Sequence, residues 1–281
     1  MTLVRLDELL RDAVTAGRGV GAFNVVHIEH AETLVAAAER TQLPVVLQIS
    51  ENAVRYHGAM APIALATKAI ASSASVECVL HLDHAVTESL VDEALTLGFT
   101  SVMFDGSALG DEANRAATHA VVARCHDAGG SVEAELGEIG GKDGVHAPGV
   151  RTDPTAAADF VAHCGVDALA VAVGSSHAMT SRTAELDLGL IAAIHELVPV
   201  PLVLHGASGV PDTDLAAAVR AGMTKINIAT HLNSAFTAAV RRHLADDPSV
   251  VDTRKYVGAG RDAVEAEAAR LLGLLALRLP T

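Results

Sequence analysis

Eight times along this chain a short run rich in β-branched and other apolar residues gives way to a longer Ala- and Leu-rich stretch with helical spacing. Repeated βα units of this kind build a parallel sheet, because each crossover must carry the chain back before the next strand can run in the same direction. The periodicity predicts strands at 20–24, 45–50, 79–83, 101–105, 131–136, 168–173, 202–205 and 225–228. Helices are expected at 31–40, 88–97, 112–128, 155–163, 188–197 and 213–221, with two more, 233–244 and 261–277, after the last strand. The polar, Gly-containing stretch 246–260 between those two is read as a loop. Eight strands point to an α/β fold of the (β/α)8 (TIM) barrel type with a C-terminal helical extension, and the 281 residues suit one such domain over 1–281. A doubly wound open sheet is the rival, disfavoured by the lack of a GxGxxG motif after the first strand.

Composition narrows the partners. Half the residues are hydrophobic but only 2% are aromatic, so the core is filled by Ala, Val, Leu and Ile. With 34 acids against 20 bases, a net charge of −14 and no basic run, the chain is not expected to bind nucleic acid or anionic lipid. It carries neither 18 consecutive apolar residues nor a signal-peptide core. The three cysteines, Cys78, Cys125 and Cys164, are far apart and set in apolar or helical surroundings. They read as buried thiols of a reducing compartment, and a cytoplasmic location is expected.

In barrels of this type the chemistry sits at the C-terminal ends of the strands. Here those ends carry Asn24, Ser50, Asp83-His84, Asp105, Glu135, the turn Gly174 to His177, His205 to Gly209, and Asn227 to Thr230. A single histidine there is more often hydrogen-bonded structure than ligand. Three of them, His84, His177 and His205, at the ends of strands three, six and seven, can converge on one point with room for a substrate, which is the catalytic kind of zinc site. Asp83 stands beside that point as a candidate general acid/base, weighed against a carboxylate that only holds loop amides. Asp105 and Glu135 are candidates to orient the ligands or to hold a metal in an alternative position. His81 reads as core or outer support, and His27, His30, His57, His146 and His163 as surface or loop residues. His231 borders the site or simply begins a helix. The turns 173–176 and 206–209 resemble anion cradles, where missing side chains expose backbone N–H groups to phosphate oxygens.

These residues together resemble the class II fructose-bisphosphate and tagatose-bisphosphate aldolase family. The matching stretches are Gly21-Ala22-Phe23-Asn24, Leu80-His81-Leu82-Asp83-His84, Val102-Met103-Phe104-Asp105-Gly106-Ser107, Glu133-Ala134-Glu135-Leu136-Gly137, the Gly174 to His177 turn, Leu204-His205-Gly206-Ala207-Ser208-Gly209, and Lys225-Ile226-Asn227-Ile228-Ala229-Thr230. The resemblance implies a lyase acting on a ketose phosphate in carbohydrate metabolism of the glycolytic kind. Zinc on His84, His177 and His205 would polarise the C2 carbonyl and stabilise the enediolate, with a second divalent or a monovalent cation also in view. It further implies that Asp83 exchanges the C4 hydroxyl proton, and that Asn24, Ser50, Ala178, Gly206, Ser208, Asn227 and Thr230 contact the dihydroxyacetone phosphate half. Arg254, in Asp252-Thr253-Arg254, is similar to an Arg that reaches the phosphate of the aldehyde half, within the chain or across a dimer interface. The resemblance suggests a homodimer or homotetramer.

Three departures from the family pattern are visible. Where the loop after strand five usually carries a proton-transferring Glu, this chain has Gly140-Gly141-Lys142-Asp143-Gly144, so Asp143 is the substitute. Ala178 and Ala207 replace glycines in the phosphate turns. The Asn-x-Ala-Thr sequence is closer to the tagatose type than to the fructose type, so the substrate epimer stays open. A different phosphorylated ketose, or a non-catalytic barrel subunit serving as chaperone of an aldolase, are the alternatives. A Schiff-base mechanism is disfavoured because only Lys68, Lys142, Lys225 and Lys255 exist and Lys225, at the start of its strand, is expected on the opposite face. A barrel metallohydrolase is disfavoured by the lack of a His-x-His at the first strand end.

Overall fold

A computed structural model describes residues 2–136 and 151–278. The eight strands are β1 Val20–Asn24, β2 Val45–Ser50, β3 Cys78–Ala85, β4 Ser101–Phe104, β5 Ser131–Glu135, β6 Ala168–Ala170, β7 Leu202–Leu204 and β8 Met223–Ile228. They pair in parallel in sequence order, and β1 closes on β8, giving a (β/α)8 barrel. The helices among the described residues are α1 Leu6–Thr15, α2 Ile28–Thr41, α3 Glu51–His57, α4 Ala61–Ser72, α5 Glu88–Leu97, α6 Asp111–Asp127, α7 Pro154–Cys164, α8 Leu188–Leu197, α9 Asp212–Ala221, α10 Thr230–Asp246 and α11 Thr253–Leu275.

Alternation along the strands sorts the side chains into two cores. One set, including Leu47, Leu80, Leu82, Val102, Val132, Leu169, Leu204 and Ile226, packs outward against the helices. The other, Val20, Ala22, Val46, Val79, Met103, Ala168, Ala170 and Val203, fills the lumen and is closed below by Leu6, Leu9, Leu10 and Ala13 of α1. Two residues further along five of the strands the inward positions turn polar: Ala22 is followed by Asn24, Val46 by Gln48, Val79 by His81, Met103 by Asp105 and Val203 by His205. The lumen is therefore hydrocarbon at its floor and hydrogen-bonding at its mouth, which concentrates chemistry at the C-terminal ends of the strands.

Several sequence expectations change. The segment 246–260 is mostly helix: α10 runs to Asp246 and α11 begins at Thr253. The glycine that suggested a loop serves packing instead, since a Cβ on Gly260 would stand 2.5 Å from the Phe236 ring of α10. Lys225 is neither at the start of its strand nor on the far face. It is the third residue of β8, fully buried in the barrel and ion-paired with Glu133 at 2.8 Å. His30 is buried rather than superficial, and burial holds its pKa down to about 4. The three cysteines are buried free thiols, and burial pushes Cys78 and Cys125 up to about 12.

Candidate active site

A cavity of ≈ 460 Å³ opens at the barrel mouth, a size ordinary for a small-molecule site. Its walls include Asn24, Ser50, Asp83, His84, Asp105, His177, Ala178, His205, Gly206, Ser208, Asn227 and Thr230. Arg254 is not part of this wall. Its side chain is 89% exposed and folds back on Asp252. Asp143, like His146, lies outside the described residues. Glu135 is fully buried at the end of β5.

Asp83 and His84 are neighbours in the chain, and in a regular strand their side chains would point to opposite faces. The ladder between β3 and β4 is irregular here: Leu82 pairs with Val102 and Ala85 with Phe104, so Asp83 and His84 together oppose Met103. This bulge, with His84 at φ +54°, lets both residues line the cavity. A non-glycine residue in the left-handed region is strained, and such strain persists where the surroundings enforce it.

The three imidazoles gather closely. Ring centroids lie 4.7 Å apart for His84 and His205, 5.2 Å for His84 and His177, and 5.6 Å for His177 and His205. Behind two of the rings stand carboxylates: His84 Nδ1 is 2.7 Å from Asp105 Oδ2, and His205 Nε2 is 2.8 Å from Glu133 Oε1. If each of those ring nitrogens donates to its carboxylate, the opposite nitrogens are lone pairs. Those two, His84 Nε2 and His205 Nδ1, face each other at 3.0 Å. Facing lone pairs repel unless a proton or a cation sits between them. The donor set therefore fits a divalent metal held by His84, His177 and His205, whose ligand atoms all lie within 4.8 Å of one another. His84, Asp105 and Glu135 form a second such group.

Electrostatics differ between the rings. Burial drives the His205 pKa well below the ordinary value, reinforced by His84 and Lys225. Burial also acts to lower His84, but the charge of Asp83, the hydrogen bond with Asp105 and the charge of Glu135 together raise it. His81, driven low by burial and by Lys225, bonds Ser101 through Nδ1 at 2.8 Å and lies 3.8 Å from Glu133, so it is internal support.

Asp83 is held by a relay. Gln48 Nε2 donates to Asn24 Oδ1 at 2.9 Å, and Asn24 Nδ2 donates to Asp83 Oδ2 at 3.2 Å. The other oxygen, Oδ1, is buried without a hydrogen-bond partner among the described residues, a lone acceptor beside the imidazoles. The turns after β6, β7 and β8 supply backbone in place of charge. Ser208 Oγ accepts from the backbone N–H groups of Ala229 and His231, both at 3.2 Å, joining two of these turns. Gly206 has φ +67°, and a Cβ there would lie 2.6 Å from the Ser176 backbone, so only glycine lets the two turns meet. Outside them runs a chain of ion pairs, Arg182 to Asp212 to Arg270 to Glu267, and Glu267 is in turn hydrogen-bonded to His231, tying the loop after β6 to α9, α11 and the start of α10.

Sequence reasoning missed Gln48, Glu133 and Arg55 as site residues. Gln48 and Glu133 carry a readable signal, a polar residue at an inward strand position one layer below the mouth.

Known proteins resemble this chain over nearly its whole length. Residues 4–277 match the family model described as fructose-bisphosphate aldolase class-II. The fructose-bisphosphate aldolase of Geobacillus stearothermophilus is 40% identical over 270 residues, covering 95% of this chain and 94% of that protein. The probable fructose-bisphosphate aldolase of Bacillus subtilis (strain 168) is 38% identical, covering 94% of each. Among solved structures, the YdjI aldolase of Escherichia coli K12 superimposes with a TM-score of 0.86 at 31% identity over 97% of both chains.

Proposed function

Because this chain belongs to the class II fructose-bisphosphate aldolase family and is a lyase, we propose that it catalyses reversible aldol cleavage of a ketose 1,6-bisphosphate of the fructose or tagatose type. The products are dihydroxyacetone phosphate and glyceraldehyde 3-phosphate. The observation that carries the reading is the pair of facing imidazole nitrogens, each ring backed by a carboxylate, beside Asp83 in a cavity of sugar-phosphate size.

Class II aldolases are generally metal-dependent, and we assign zinc to His84, His177 and His205, with His84, Asp105 and Glu135 as a second cation position. The metal, when bound, supplies positive charge that polarises the ketose carbonyl and balances the charge left on the dihydroxyacetone half. Asp83 takes the proton of the C4 hydroxyl as the C3–C4 bond breaks. The bonding electron pair stays with C3, and the C4 oxygen becomes the aldehyde carbonyl. In condensation Asp83 returns that proton. We assign the proton returned to C3 to Asp143, at the place of the family's loop Glu. Asn24 holds Asp83 in position and, with Ser50, contacts the dihydroxyacetone half, while Ala178, Gly206, Ser208, Asn227 and Thr230 cradle its phosphate. Residues 1–281 act as one unit, in the cytoplasm and as a homodimer or homotetramer.

The test is a panel of ketose phosphates assayed for triose phosphate release, after chelation and after zinc is restored. Release that disappears on chelation and returns with zinc is expected. No release from any ketose phosphate by protein carrying stoichiometric zinc would overturn the proposal in favour of a non-catalytic binding role.

A further inference from the structure

A ketose with phosphates at both ends needs two anion sites, and the turns after β6, β7 and β8 form only one. Nothing in those turns that lines the cavity is a Lys or an Arg; backbone and short polar side chains do the work there. The second phosphate enters a protein whose formal charge is −14, where a local cation would favour it. Among the described residues lining the cavity one permanent cation stands, Arg55.

Arg55 lies on α3, directly after β2. In the closed order of eight strands β2 is diametrically opposite β6, so Arg55 is carried on the side of the mouth opposite the turn after β6, in the same cavity as Asp83 and the imidazoles. Its surroundings present it without consuming it. Glu51, one turn earlier, is anchored by the Val86 backbone N–H at 2.9 Å, and its other oxygen lies 3.5 Å from Arg55 Nη2. The guanidinium is 70% exposed and, among the described residues, meets only Glu51 at that long distance, so it can turn to a phosphate with little to break. Ser50, whose Oγ caps α3 by accepting from the Ala53 N–H at 3.2 Å, fixes the helix that carries it.

Building on the aldolase reading, we propose that Arg55 binds the phosphate of the aldehyde half and sets the preference for ketose bisphosphates over ketose 1-phosphates. Arg254, 89% exposed and engaged with Asp252, is the competing cation.

The experiment compares the zinc-loaded wild type with Arg55→Lys, Arg55→Met and Arg254→Met, using fructose 1,6-bisphosphate and fructose 1-phosphate in parallel. Charge-assisted bonds of this kind correspond to roughly ten- to hundredfold in affinity. Arg55→Met should therefore lower the ratio of kcat/KM for the bisphosphate to that for the 1-phosphate by about that factor, chiefly through KM, with Arg55→Lys intermediate. An unchanged ratio, or a drop produced by Arg254→Met and not by Arg55→Met, overturns the assignment. The same two ligands are titrated calorimetrically into Asp83→Asn protein with and without Arg55→Met. An Arg55-dependent advantage for the bisphosphate there supports the phosphate site even if the wild type cleaves neither sugar, an outcome that would sink the aldolase reading alone. No such advantage in either measurement sinks the Arg55 proposal alone.

Discussion

Replacing Glu133 by Gln should expose how much of this barrel depends on one buried pair. Glu133 and Lys225 are both fully buried and 2.8 Å apart, and the other Glu133 oxygen meets His205 Nε2 at 2.8 Å. Gln keeps the shape and removes the charge, leaving the Lys225 ammonium enclosed without a counter-charge. Breaking such a pair from one side costs about 3–5 kcal/mol. Lys225→Met, which strands the carboxylate, should cost a similar amount. Removing both charges at once takes away the stranded ion, so the double variant should lie within about 2 kcal/mol of the wild type, since apolar replacement of a whole buried pair is often near neutral. The interaction energy from the four proteins should then be at least about 4 kcal/mol, above the roughly 3 kcal/mol upper edge of ordinary contact couplings. Urea unfolding of metal-free protein is the assay, because bound zinc would add its own stabilisation. A second readout is zinc affinity by chelator competition, where Glu133→Gln should weaken binding by roughly 10–100-fold through loss of the partner that orients His205. A single variant that loses under about 1 kcal/mol, or a double variant as unstable as the two singles summed, would refute the reasoning.

Other consequences are more local. Ala178 sits at φ +58° immediately after His177, a conformation that disfavours a side chain by about 1 kcal/mol; Ala178→Gly should raise Tm by about 2 °C, and a lower or unchanged Tm would show the strain is absent. Glu267 is partly buried, which acts to raise its pKa, but hydrogen bonds to Arg270 and His231 hold it down to about 2 against 4.5. A depressed carboxylate stabilises the fold above its unfolded value, and that contribution is lost as pH falls from about 4.5 toward 2. The melting difference between wild type and Glu267→Gln should therefore be full at pH 6 and shrink between pH 4.5 and 3; a constant difference would contradict this. Asp83→Asn should reduce kcat by roughly two to four orders of magnitude while bound zinc, measured by atomic absorption, stays stoichiometric; near-normal turnover would remove Asp83 from proton transfer.

Much of this architecture was legible because strand and helix periods differ and repeat. All eight strands fall where the periodicity puts them, to within three residues at either end. The three histidines were legible because each lies at or beyond a strand end that could be counted. What escaped has specific causes. Lys225 was misplaced because β8 begins at Met223, two residues earlier than its apolar run suggests, which moves the lysine from the floor's edge into the lumen. The short helix α3, which buries only Ala53, has almost no apolar stripe to mark it, so Arg55 did not register as a cavity residue. The start of α11 was hidden because Gly258 and Gly260 imitate loop composition, while the packing of Phe236 onto Gly260 is a tertiary fact. The pairing of Glu133 with Lys225 joins positions 92 apart in the chain, and only closure of the barrel brings them together.

The irregular step in β3 bears on how this strand could be transplanted. On either side of Asp83 and His84 the ribbon runs in opposite phase, so its lower half aligns its alternation with the lumen only if the upper half carries the extra residue. A regular β3 borrowed from another barrel would send either the carboxylate or the imidazole into the helical shell. The two therefore travel as one inherited block, and an engineer who wishes to move one must move the kink with it.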